Sequence, residues 1–115
     1  MKTGALHRAD NCLVPRARAA LRWWQRLQGL LFRKRLASDG SEALLISPCS
    51  SIHTIGMVYP LDVVFLDGSG AVLSVREHLR PWRACMQRGA KSVLEFHAGA
   101  VQQLRIQPGD VIEWR

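Results

Sequence analysis

Thiol, imidazole, hydroxyl and carboxylate side chains crowd into CSSIHTIGMVYPLDVVFLD, residues 49 to 67, just before and within an apolar run. Cys49 and His53 could act as a thiol–imidazole pair in which the ring takes the thiol proton. On one strand the two would share a face about 13 Å apart, so only a bend brings them into reach. A metal reading would add Asp62 or His97, but C-x-x-x-H without a second pair lacks the repeated ligand spacing of structural zinc. The plainer alternative is a buried cysteine beside a hydrogen-bonded histidine. On this reading the chain has no assigned catalytic residue, metal ligand or cofactor.

Asp62 and Glu95 raise a different question. Each stands inside an apolar strand-like run, PLDVVFL and SVLEF. An ionised carboxylate buried there without donors would cost several kcal/mol or shift its pKa. Candidate donors are Thr54 and the two arginines flanking Trp82 in LRPWR, Arg80 and Arg83. Two readings follow. The carboxylates accept bonds from backbone N–H groups or arginine and fix loops, which is the role expected of Glu95. Alternatively His53, Thr54, Met57, Asp62, Arg80 and Arg83 line a polar cleft at one end of a sheet, able to hold a peptide end or a small anion.

These residues need elements to position them. LDVVFL (61–66) is the strongest strand pattern, apolar on nearly both faces and so expected to be covered on both. ALLIS (43–47) is a short strand ended by Pro48, and SIHTIGM is a second, interrupted at Gly56. DGSG turns LDVVFL into AVLSVRE as a hairpin. SVLEF, a helical turn in AGAVQQLRI, a PGD turn and VIEW complete the pattern. Residues 1–14 show no periodicity and are expected to be a flexible arm. From Pro15 onward, 3–4 spacing of Ala17, Ala20, Leu21, Trp24 and Leu31 predicts an amphipathic helix. Its buried face would include Leu21, and its basic face would carry Arg18, Arg22 and Arg26. The expected fold is mainly β, bordering on α+β: a small barrel or sandwich over residues 15–115 with that helix packed on it.

Charge is unevenly placed. Of the 115 residues, 48% are hydrophobic and 22% charged, and the net charge is +7. Nine bases against Asp10 alone lie in residues 1–35, whereas residues 36–115 hold seven bases and eight acids. Any attraction to polyanions therefore belongs to the N-terminal region. The arginine face with Trp23 and Trp24 suits an anionic membrane surface. Few aromatics and no recognised motif argue against nucleic acid. Three cysteines at unrelated spacings, with no apolar leader at the start, point to a reducing, cytoplasmic setting and a monomer.

The segments RLQGLLFRKRL (26–36), ALLISPCSSIHTIGM, PLDVVFLD, SVLEFHAG and the late PGD, in that order, resemble the domain of unknown function family 192. Leu31 stands where methionine is usual, and His-Thr-x-x-Met before Pro-Leu-Asp is similar to one branch of it. The resemblance implies a small β-rich fold with no established activity, and relatives that include some near pilus or secretion genes. The expected function is a binding or accessory module for a protein or peptide. A ligand-binding protein or enzyme built on the cleft, and an anion-surface binder using the arginine helix, are the alternatives.

Overall fold

The structure, a computed structural model, describes residues 2–21 and 36–115. Within them, β1 (Lys2–Arg8), β2 (Asn11–Ala20), β3 (Glu42–Ile46), β5 (Leu61–Leu66), β6 (Val72–Leu79), β8 (Ser92–His97) and β9 (Ile112–Trp114) form one sheet in the order β6-β5-β8-β3-β2-β1-β9. β4 (Ser51–His53) and β7 (Ala84–Met86) make a separate two-stranded ribbon, and α1 (Ala100–Leu104) is a short helix after β8. Neighbours in the large sheet are antiparallel except β2 and β3, which run parallel. The sheet curls until its two edge strands meet, through a bridge between Ala71 and Val111. The fold is mainly β, a curled half-barrel.

LDVVFL behaves as its composition requires. All six residues of β5 are buried, and the strand is paired on both edges, to β6 and to β8. Val64 and Leu66 join the inner core with Leu6, Leu45, Leu94, Phe96, Val101 and Ile112. Val63 and Phe65 join an outer core with Leu44, Ile46, Val93, Ile52 and Met57. Ile52 comes from β4, so the ribbon helps to cover the outer face. Burying each such side chain stabilises the fold by about 1.5–3 kcal/mol, which makes both layers necessary.

The N-terminal region departs from expectation. Residues expected as a flexible arm are strand β1 and the start of β2, and residues 15–20, expected to open the helix, continue β2. The reason lies in Arg16-Ala17-Arg18-Ala19, where large polar and small residues alternate with period two. Ala17 and Ala19 are buried in the inner core while the arginines take the other face. Pro15 falls in a register gap between the pairs Leu6–Val14 and Gly4–Ala17, where a bulge leaves no ladder bond for its missing N–H to make. Leu21, assigned to the helix's buried face, is 38% exposed. Trp24, Leu31, Arg22 and Arg26, with the remainder of the expected helix, lie outside the described residues.

Candidate binding surface

Thr54 organises the region around the ribbon. It is fully buried, and its hydroxyl donates to the Arg80 carbonyl at 2.6 Å and accepts the Arg83 N–H at 2.9 Å. Its own N–H donates to the Arg83 carbonyl at 2.7 Å, and its carbonyl accepts from Trp82 and Met57. One side chain thereby fastens the turn after β4 to the loop before β7. The donor role anticipated for Thr54 is real, but its acceptor is backbone and not Asp62.

Asp62 is engaged on the other side of the sheet. Its carboxylate, fully buried, accepts three backbone N–H groups: His78 at 2.8 Å, Gly99 at 2.9 Å and Val101 at 3.0 Å. It lies opposite Phe96 on the inner face, where it ties β6 and the start of α1 to β5. Arg80 and Arg83 donate nothing to it. His53 is exposed, and its Nδ1 accepts the Ile55 N–H at 3.3 Å within its own turn. Met57 is buried in the outer core. The structure therefore brings Thr54, Arg80 and Arg83 together through backbone atoms, places Met57 beneath them, and separates Asp62 from the group. Cys49 donates to the Ser51 carbonyl at 2.9 Å. Among the described residues no three His, Cys, Asp or Glu side chains are grouped to hold a metal.

Glu95 faces the outer core, between Val63 on β5 and Leu44 on β3. It is 5% exposed, and its Oε2 is buried with no hydrogen-bond partner. Burial pushes its pKa up to about 7, so the carboxyl holds its proton over most of the acidic range. It also helps to push up the Cys85 thiol, whose shift is caused first by burial, while Arg76 opposes it.

What Thr54 fastens in place is an apolar surface. Ile55, Val58, Trp82 and Met86 are 49%, 80%, 64% and 67% exposed, four of the six exposed large hydrophobics among the described residues. All four belong to the ribbon or its flanking loops. Trp82 adopts a left-handed φ of 61°, a conformation costly for a bulky residue. Residues 47–60 and 78–91 contain no Asp or Glu and four bases, Arg80, Arg83, Arg88 and Lys91. Among the described residues the only ion pairs are Arg8–Asp110 and Glu113–Arg115, so these bases have no carboxylate partner there. The ribbon's outward face, Ser51, His53, Ala84 and Met86, lies along a shallow depression of about 430 Å³. Sequence reasoning found Arg80 and Arg83 but missed Trp82, Met86 and Val58; the two acid-free stretches were the signal available.

The family model of DUF192, described as uncharacterised ACR, matches residues 6–114. The chain belongs to the DUF192 family. A UPF0127 protein of Pyrococcus furiosus is 33% identical over 92 residues, 78% of each chain. A UPF0127 protein of Thermococcus sibiricus is 38% identical over 66 residues, which span 56% of this chain and only 42% of that relative. A crystal structure of a Sinorhizobium meliloti protein, described as a candidate transcription regulator, has a TM-score of 0.80 at 25% identity, covering 97% of this chain and 92% of that one. The family match and the structural neighbour fix the fold and leave the activity open. No helix among the described residues is long and apolar enough to cross a membrane.

Proposed function

We propose that this DUF192 protein is a binding module, not an enzyme, that docks an acidic, extended segment of a partner protein on the β4–β7 ribbon and the loop carrying Trp82. The observation that carries the reading is the exposed quartet Ile55, Val58, Trp82 and Met86 inside an acid-free, base-bearing border. Large apolar side chains clustered with arginine are the usual anchors of a protein interface. In the described sheet topology each ribbon strand pairs only with the other; Cys49 engages the Ser51 carbonyl on β4, and β7 offers the outer main-chain edge on which an extended peptide can add. A lipid headgroup would use the arginines but not that edge. The module acts as a cytoplasmic monomer serving an assembly or envelope-linked system.

A cleft shared by His53, Thr54 and Asp62 is the less favoured reading, because Asp62 accepts three backbone N–H groups across the sheet. Site-specific photocrosslinking from position 58 in cells, with position 111 as an exposed control, tests the docking surface. A discrete adduct to a protein with an acidic segment, lost in Trp82→Ala, is expected. Equal crosslinking from both positions, or co-sedimentation with anionic vesicles that Trp82→Ala abolishes, would overturn it.

A further inference from the structure

A second concavity lies on the outer face at the far side of the sheet, away from the ribbon. It has a volume of about 570 Å³ and is lined by Thr3, Gly4, Arg16, Arg18, Glu42 and Arg115 together with neighbouring backbone. We propose that this groove binds a small dianionic ligand bearing phosphate or carboxylate groups.

The sequence builds the groove from strand alternation. Arg16 and Arg18 sit two residues apart on β2, opposite Glu42 and Leu44 of β3, so both side chains leave from the same face about 7 Å apart. The floor between them is main chain of Gly4, Ala5, Ala17 and Ala43, the Ala17 and Ala43 methyls being turned to the inner core. Gly4 cannot be larger: a Cβ there would stand 2.5 Å from the Arg115 carbonyl oxygen and 2.8 Å from the Trp114 indole. That close approach, held by the reciprocal Ala5–Arg115 backbone bonds at 2.9 and 2.8 Å, brings a third guanidinium to the rim.

The charges are not already neutralised. Three arginines against Glu42 leave +2 along the lining. Glu42 Oε1 accepts the Ala37 N–H at 3.0 Å, which holds that carboxylate toward the loop before β3. Arg16 donates to the Ser41 hydroxyl at 2.9 Å, an orienting bond; Asp39, held below the usual carboxylate range chiefly by its Ser41 hydrogen bonds and least by the Arg16 charge, makes no ion pair with it. Arg115 pairs with Glu113 at 3.2 Å, but both side chains are about half or more exposed, and such a pair gives way readily. Arg18 is half-buried and, among the described residues, has no carboxylate within reach. A planar guanidinium fork matches carboxylate or phosphate oxygens two at a time, which a point charge cannot do. The volume falls in the range of small-molecule sites.

Calorimetric titration of the whole chain with inorganic phosphate and, separately, succinate tests this at low salt and mildly alkaline pH, where each is chiefly a dianion. Saturable binding of at least one anion with Kd below about 1 mM is expected, weakened roughly tenfold in Arg18→Gln and in Arg16→Gln. Arg88→Gln, at the ribbon, should leave it unchanged. Amide shifts of the wild-type chain should centre on Thr3, Ala17 and Ala43, a readout that stands even if a variant fails to fold. No saturation at millimolar anion, equal weakening in Arg88→Gln, or shifts centred elsewhere would overturn the proposal. Failure of the groove here leaves the ribbon reading standing, because that reading is tested separately by crosslinking from position 58.

Discussion

Glu95 and Asp62 are both carboxylates inside the same sheet, one strand apart, yet their circumstances are opposite. Asp62 has three donors and Glu95 Oε2 has none. Burial raises Glu95 from 4.5 to about 7 in the folded protein. Below the unfolded value both states hold the proton and nothing is lost. Between 4.5 and 7 the unfolded chain releases the proton while the folded one keeps it, so stability falls as pH rises, and the penalty is complete above 7. That window corresponds to about 3 kcal/mol. Glu95→Gln, isosteric and always neutral, is therefore expected to stabilise the protein by up to about 3 kcal/mol at pH 8 and hardly at pH 4, read from urea melts at the two values. Asp62→Asn should do the reverse at every neutral pH. It turns one end of the acceptor into a donor facing N–H groups, at a cost of about 3 kcal/mol by the same melts.

At the level of elements, the Thr54 hydroxyl is what joins β4 to the loop before β7. Thr54→Val keeps the shape and leaves the Arg80 carbonyl and Arg83 N–H without that partner, a loss of about 2 kcal/mol. Because Trp82 and Val58 are exposed, Trp82→Ala and Val58→Asp should leave the thermal midpoint within a few degrees while abolishing crosslinking, if the quartet is a docking surface. Except for β7, the strands from β3 onward were legible because each carries its own period-two or wholly apolar pattern between turn residues. β5, the hairpin through Asp67, β8 and β9 all fall where LDVVFL, DGSG, SVLEF and VIEW place them. The N-terminal hairpin was not legible for a physical reason. Bulges at Gly4–Leu6 and Leu6–His7 break the alternation in β1, and the 3–4 spacing of Ala17, Ala20 and Leu21 imitates a helix face. The candidate site was half legible: sequence gives which groups need partners, but only the sheet decides which face each one joins.

For the whole molecule, closure depends on a few close approaches between the two edges of the sheet. Gly70 has a φ of 87°, and a Cβ there would lie 2.5 Å from the Ile112 carbonyl oxygen. The Ile112 N–H donates to the Gly70 carbonyl at 2.9 Å, and the Val72 N–H to Asp110 at 2.7 Å. Gly70→Ala is expected to cost about 1–3 kcal/mol through strain alone. Hydrogen exchange should then quicken selectively at Val72 and Ile112, while β5 and β8, paired on both edges, remain the slowest amides. Uniform acceleration across all strands would show that the closure is not a separable unit.

β1 gains its second neighbour from β9, by pairs that join residues 6–8 to 112–114. Ile112 completes the inner core and Trp114 packs against it. On a ribosome, therefore, the concave apolar wall formed by the preceding strands stands open to water until β9 emerges. The nascent chain is then an unsealed shell with a greasy lining, which makes this stage of synthesis, more than the finished protein, the moment when chaperones and aggregation compete for it.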